Sequence, residues 1–228
     1  LVNSKLDFIN CYAIKANSNP EILKLLSEEG AGAEVASGGE LYLALKFGYL
    51  RNKITFTGVG KTDEEIEYAL RENIFNFTVE SLQEIKVISG IAHKLGVIAR
   101  ISIRVNPDID AKTHPYITTG MKENKFGIDS KDIMDVFKTA SQLPNIDLIG
   151  IHSHIGSQIT EVNPYIEAVK YLGELIEKVE KMGINIRYIN FGGGFGVQYK
   201  NILTHRYIPT EEDDTARYSP LGEHVESV

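Results

Sequence analysis

The fold class of this chain follows from residues 8–36, FINCYAIKANSNPEILKLLSEEGAGAEVA. Apolar, β-branched runs at residues 8–16 and 32–36 each predict a strand. Between them, residues 20–29 predict a helix that begins with Pro20 after Asn19 and stops at Gly30. This order indicates a βα unit with parallel strands, because parallel neighbours need a crossover connection.

The same unit recurs along the chain. Thr62 with Glu65, and Ser81 with Glu84, predict capping boxes at two helix starts. Seven such units fit either a doubly wound sheet or a (β/α)8 TIM-type barrel of the α/β class, and we expect the barrel, one strand short of eight. The further strands are predicted at residues 53–57, 74–79, 97–105, 148–154 and 184–191, and the further helices at residues 39–47, 62–72, 81–94, 129–141 and 162–181.

Residue alternation favours the barrel. Arg100, Ser102 and Arg104 share one face of the predicted strand at residues 97–105, and apolar residues share the other. A polar interior under an apolar outer face is typical of a barrel whose site lies at the C-terminal ends of its strands.

Composition excludes several function classes. The net charge of −7 argues against a nucleic-acid surface, and no apolar stretch approaches the roughly 18 residues of a membrane span. The single cysteine, Cys11, cannot form an internal disulfide and is consistent with a reducing compartment. We therefore expect a cytoplasmic protein that binds neither nucleic acid nor membrane.

Lys15 is the first candidate for chemistry. It ends an apolar strand, where we expect a partly desolvated cavity that makes its amine available for imine formation with a carbonyl ligand. The alternative is a surface lysine whose stem covers apolar surface.

Two later segments could hold a phosphorylated, planar ligand. Residues 191–196, FGGGFG, follow a predicted strand, and successive glycines can turn backbone N–H groups toward a phosphate. The alternative is a plain connecting loop. In residues 152–157, HSHIGS, His152 and His154 share one strand face. With no Asp, Glu or Cys nearby to complete a metal site, we expect no metal, and assign the imidazole to ring stacking and Ser157 to the phosphate.

With these residues assembled, the chain resembles the fold-type III pyridoxal-phosphate decarboxylases, whose barrel is of the alanine racemase-like kind. The resemblance implies that Lys15, in the family's Schiff-base signature, binds pyridoxal 5′-phosphate and that His154 stacks on the cofactor ring. The remaining cofactor-binding residues that it implies are Glu34, Arg104, Ser157, Gly192, Gly193 and Gly194. Either Glu34 or Arg104 could instead be a structural ion-pair partner.

Residues 106–127 most resemble the branch that decarboxylates meso-diaminopimelate to L-lysine. This implies a carboxy-lyase with a small amino-acid substrate, and a homodimer in the full-length protein. The alternatives are an ornithine or arginine decarboxylase, an alanine racemase-like enzyme, and a non-catalytic pyridoxal-phosphate-binding protein.

The chain departs from the family in two respects. The family's Glu-Pro-Gly-Arg motif, whose glutamate pairs with the pyridine nitrogen, is absent, and so is the C-terminal β domain. We assign residues 1–199 to the barrel. Residues 200–228 show no resemblance, which we expect either of a fragment or of a chain from which segments are missing.

Overall fold

The computed structural model describes residues 7–107 and 126–196, which form seven strands and six α-helices. The strands are β1 (Cys11–Ala13), β2 (Gly32–Val35), β3 (Ile54–Phe56), β4 (Asn76–Val79), β5 (Ala99–Val105), β6 (Ile146–Ser153) and β7 (Tyr188–Asn190). The helices are α1 (Pro20–Glu28), α2 (Gly38–Lys46), α3 (Asp63–Arg71), α4 (Leu82–Leu95), α5 (Ile133–Ala140) and α6 (Asn163–Glu180).

All seven strands belong to one parallel sheet whose spatial order is the order of the chain. Each βα connection therefore moves one strand along the sheet, which is the topology of a TIM-type barrel. Within the described residues, β1 and β7 are the two sheet edges. The prediction of an incomplete (β/α)8 barrel with seven strands is confirmed.

Local capping chemistry explains where the helices begin. The Thr62 hydroxyl accepts the N–H of Glu65, and the Glu65 carboxylate accepts the N–H of Thr62, which completes the predicted capping box of α3. At α4 the prediction is only half right. Ser81 accepts the N–H of Glu84, but the Glu84 carboxylate bonds to other groups, described below.

The two faces of the sheet differ as the alternation predicts. Ile101 and Ile103 of β5 are fully buried in the apolar core. On the opposite face the Ser102 hydroxyl lies 2.8 Å from Nδ2 of Asn76 and 3.3 Å from the Thr78 hydroxyl, both on β4. Hydrogen bonding between these buried groups offsets the cost of taking them out of water. The barrel interior is therefore polar.

Gly150 allows β7 to approach β6 closely. A Cβ atom at this position would lie 2.3 Å from the carbonyl oxygen of Tyr188, and the Tyr188 ring packs edge-on against Phe75. We predict that Gly150→Ala destabilises the protein by about 1–3 kcal/mol, because β7 must move away. Gly173→Ala in α6 is the control. Its Cβ meets no atom, and it should stabilise by roughly 0.5–1 kcal/mol in urea unfolding. Equal stabilities for the two variants would contradict this account.

Within the described residues, none of the helices combines the length and apolar character that crossing a membrane would require.

Candidate active site

The carboxyl ends of the parallel strands meet at one edge of the barrel, and most predicted site residues lie there. Glu34 is on β2, in register with Ala13 of β1 and Thr55 of β3. Arg104 is near the end of β5, in register with His152 of β6. The other predicted residues follow strand ends: Lys15 after β1, His154 and Ser157 after β6, and Gly192, Gly193 and Gly194 after β7.

Lys15 occupies a different environment from the one expected. Strand β1 ends at Ala13, and Lys15 lies in the 3-10 turn Ile14–Ala16 that follows. Ile14 is fully buried and anchors the turn, whereas Lys15 is exposed. The prediction of a partly desolvated lysine was wrong for the described residues, because β1 ends two residues before Lys15 and the turn leaves its side chain exposed.

Arg104 forms an ion pair that the sequence analysis did not identify. Its Nη1 donates to Oε1 of Glu80 at 2.9 Å, with 13% and 4% of the two side chains exposed. The other Glu80 oxygen accepts the N–H of Gly127 at 3.0 Å. Removing one partner of such a pair would leave the other as an uncompensated buried charge. Glu80 therefore fixes Arg104 at the barrel edge.

Lys61 is a second residue that the sequence analysis missed. Its almost fully buried side chain donates to the carbonyl oxygens of Gly58 and Thr78 at 2.7 and 2.8 Å and to the Glu84 carboxylate at 2.5 Å. The other Glu84 oxygen accepts the N–H of Glu80. Lys61 thus ties the loop after β3 to β4 and to the start of α4. Both Lys61 and Glu80 follow predicted strands, so the strand-end rule that selected Lys15 could have found them.

His154 is held neutral at the barrel edge. Burial, with contributions from the positive charges of Arg104 and Lys15, lowers the pKa of His154 from 6.5 to about 4. The N–H of Gly193 lies 3.4 Å from Nδ1 of His154 and points toward it. With Nδ1 as an acceptor, the ring proton is on Nε2.

His152 precedes His154 by two residues and lies deeper in the barrel. It is 3% exposed, and neither ring nitrogen has a hydrogen-bond partner among the described residues. Burial is the main reason that the pKa of His152 lies well below its usual range, and nearby Arg104, His154, Lys15 and Lys61 lower it further.

These two histidines should make stability depend on pH. Their pKa values are depressed by folding, so below pH 6.5 the unfolded chain takes up protons that the folded chain does not. The contribution of these two histidines to the free energy of unfolding should be fully present above about pH 6.5. It should fall toward pH 4 by up to about 1.4 kcal/mol per pH unit for each histidine. Urea unfolding at a series of pH values should show a shallower slope in His152→Gln and His154→Gln. An unchanged slope in the double variant would contradict the assignment.

The glycine turn after β7 depends on two of its three glycines. Gly192 and Gly194 have φ angles of +74° and +89°, which favour glycine. A Cβ at Gly194 would lie 1.9 Å from the Gly156 carbonyl oxygen, whereas a Cβ at Gly193 would meet nothing within 4 Å. The N–H of Ile159 donates to the Gly194 carbonyl oxygen at 2.9 Å. The glycine turn is therefore packed against the loop that carries Ser157, which is exposed.

The arrangement fits a planar ligand that carries a phosphate. Open space faces Gly193, the neighbouring loop offers the Ser157 hydroxyl, and His154 presents a neutral ring beside them. His152 supplies buried polar atoms without partners. Within residues 7–107 and 126–196, no three His, Cys, Asp or Glu side chains lie close enough to hold a metal ion. Most of the segment at residues 106–127 that indicated the substrate branch lies outside the described residues.

Comparison with known proteins agrees with this geometry. The family model "Pyridoxal-dependent decarboxylase, pyridoxal binding domain" matches residues 3–224, so the expectation of no resemblance after residue 199 was wrong for residues 200–224. Diaminopimelate decarboxylase of Aquifex aeolicus is 52% identical over 194 residues, which are 85% of this chain and 46% of that protein. The Helicobacter pylori J99 enzyme of the same name is 49% identical over 191 residues, 84% of this chain and 47% of that protein.

Similarity extends to a solved structure. The crystal structure of diaminopimelate decarboxylase from Helicobacter pylori complexed with L-lysine superposes with a TM-score of 0.80 at 45% identity. The match covers 90% of this chain and 51% of that one. The chain spans about half the length of the curated relatives it matches. The family match confirms the predicted cofactor, pyridoxal phosphate. The chain belongs to the pyridoxal-dependent decarboxylases and contains their pyridoxal-binding domain.

Proposed function

We propose that this chain is the cofactor-binding barrel of a carboxy-lyase that converts meso-diaminopimelate to L-lysine. The observation that carries the proposal is the grouping of Lys15, His154 and the glycine turn at one barrel edge, contributed by three different strand ends. The substrate follows from the relatives named diaminopimelate decarboxylase, at 52% and 49% identity.

Each residue has a distinct role in this proposal. Lys15 supplies the amine that binds the cofactor's aldehyde, and its exposure leaves that amine accessible to an incoming substrate. The glycine turn holds the phosphate together with the Ser157 hydroxyl. The N–H groups of Gly192 and Gly193 donate to Oδ1 of Asn190 and Nδ1 of His154, and they must turn from these acceptors to reach the phosphate. His154 presents its neutral ring to one face of the cofactor. Bound pyridoxal phosphate supplies an electron sink for the electron pair left by loss of carbon dioxide.

Glu34 and Arg104 complete the proposed binding set. Glu34 faces the barrel interior near Lys15, because its register partner Ala13 is two residues before Lys15. The ion pair with Glu80 limits Arg104 to one orientation, so Arg104 contributes a fixed positive charge near the cofactor ring. Fixed charges need no reorganisation when charge develops during a reaction.

The proposal also covers the extent of the barrel, the oligomeric state and the cellular location. We assign the barrel to residues 1–199, and residues 197–228 lie outside the described residues. We propose a homodimer for the full-length protein and a cytoplasmic location, the latter because the single Cys11 suits a reducing compartment.

Carbon dioxide release tests the activity. The full-length protein, loaded with pyridoxal phosphate, should release carbon dioxide from meso-diaminopimelate far faster than from ornithine or arginine. Faster release from ornithine or arginine would show that the protein is a decarboxylase but that its substrate is not meso-diaminopimelate. Cofactor binding without release from any of the three would identify a non-catalytic pyridoxal-phosphate-binding protein.

A further inference from the structure

His152 is a deeply buried ionisable side chain at the barrel edge that none of the roles above uses. It is 3% exposed, and within residues 7–107 and 126–196 neither Nδ1 nor Nε2 has a hydrogen-bond partner. A buried polar atom left without a partner destabilises the fold, because it has lost its hydrogen bonds to water. A neutral imidazole has one donor and one acceptor, so the position has an unmet requirement for a polar ligand atom.

The register of the strands places His152 inside the barrel. It is paired with Arg104 of β5 on one side and with Asn190 of β7 on the other. His154 follows two residues later, directly after the end of β6, and lies close enough to His152 to contribute to lowering its pKa. Ser153, between them, points to the opposite face. A ligand covered by His154 at the barrel edge therefore has His152 beneath it.

The charges around His152 indicate what kind of atom it contacts. Arg104, Lys61 and Lys15 all lie close enough to disfavour a positive charge on the imidazole. Arg104 and Lys61 are each paired with a carboxylate, of Glu80 and Glu84, yet they still disfavour a second cation at His152. An ionised oxygen on a ligand suits such a site, and the neutral ring has an N–H to donate to it. The glycine turn and Ser157 already account for the phosphate, which leaves the ionised ring oxygen of the cofactor as the anionic atom without a partner.

We propose that His152 donates a hydrogen bond to the ionised 3-oxygen of the pyridoxal ring. This inference rests on the proposed function, because it requires pyridoxal phosphate at this barrel edge. His152 is then a cofactor-binding residue in addition to those predicted from the sequence. The contact fixes the rotation of the ring about the axis that joins its phosphate arm to Lys15.

Paired ligands and paired variants test the contact in the full-length protein. The ligands are pyridoxal phosphate and 3-deoxypyridoxal phosphate, which lacks the ring oxygen. The variants are His152→Phe, which keeps a ring but removes the donor, and Ser153→Ala. Ser153 is the matched control, because its hydroxyl is equally buried and equally unpartnered but lies on the other strand face. Affinity is measured by absorbance titration, with thermal unfolding of each ligand-free protein beside it.

His152→Phe should lower the affinity for pyridoxal phosphate roughly tenfold to a hundredfold, which is the range expected for loss of a hydrogen bond to a charged group. The affinity of this variant for the deoxy ligand should stay within about twofold of the wild-type value. The absorption band of bound pyridoxal phosphate that reports ionisation of the ring oxygen should change. Ser153→Ala should change neither affinity. An equal loss for both ligands, or no loss for either, would overturn the proposal in favour of a purely structural role.

A second measurement covers the case in which His152→Phe does not fold. In the wild-type protein, the ring-nitrogen chemical shifts of His152 should move on adding pyridoxal phosphate and stay in place with the deoxy ligand or inorganic phosphate. Shifts that respond identically to all three would overturn the contact. If the wild-type protein does not bind pyridoxal phosphate at Lys15, the proposed function is wrong. If it binds the cofactor at Lys15 but the His152 shifts do not respond, only the proposed His152 contact is wrong.

Discussion

Replacing Lys15 with alanine should lower the rate of decarboxylation by roughly three orders of magnitude or more, because the amine that binds the cofactor's aldehyde is removed. The fold should be unaffected, since Lys15 is exposed in a short turn that Ile14 anchors in the core. Carbon dioxide release under saturating substrate and cofactor measures the effect.

Two controls separate covalent chemistry from charge. Lys15→Arg keeps the positive charge but cannot form the imine, and it should be as inactive as Lys15→Ala. Lys24→Ala removes an exposed lysine of α1 that forms a surface ion pair with Glu28, and it should keep wild-type activity. Activity in Lys15→Arg near the wild-type rate would show that Lys15 acts only through its charge.

Replacing Gly193 with valine should weaken pyridoxal phosphate binding by at least about tenfold to a hundredfold while changing stability by no more than about 0.5 kcal/mol. Apart from Gly193 itself and its two chain neighbours, a Cβ at Gly193 would lie more than 4 Å from every atom of the described residues, so the added side chain should project into the space assigned to the phosphate. The Tyr165 hydroxyl, 3.2 Å from the Gly193 carbonyl oxygen, should hold the backbone of the turn in place. Cofactor titration and urea unfolding measure the two quantities.

Gly194→Ala provides the contrast to Gly193→Val. Its Cβ would collide with the Gly156 carbonyl oxygen, and its backbone has a φ of +89°, so stability should fall together with cofactor affinity. Loss of stability in Gly193→Val, or unchanged cofactor affinity there, would mean that the turn is only a connection between β7 and the residues after it.

The architecture was predictable because apolar periodicity and capping residues act locally. Thr62 and Glu65 form the predicted box within one helical turn, and Ser102 alternates with buried isoleucines as a strand requires. The ends of elements were less predictable. The apolar run at residues 8–16 predicted a long strand, but β1 has three residues before Ile14–Ala16 turns, and this difference changes the environment of Lys15.

Site residues could be predicted from the sequence where they lie at the end of a single predicted strand. They could not be predicted where the site depends on contact between two segments that are distant in sequence. Nothing near Arg104 in sequence indicates that Glu80, 24 residues earlier, pairs with it. The contact of Gly194 with Gly156 likewise depends on the packing of two loops. His152 shows a third reason, since burial and the absence of a hydrogen-bond partner are properties of the folded barrel.

The central claim, that Lys15 is the residue to which pyridoxal phosphate attaches, can be tested without any assumption about substrate. The full-length protein is incubated with pyridoxal phosphate, reduced with borohydride, digested, and its peptides are mapped by mass spectrometry. We predict that one pyridoxyl group is fixed on the peptide that contains Lys15. Labelling of another lysine, such as Lys61, with Lys15 unmodified would contradict the account.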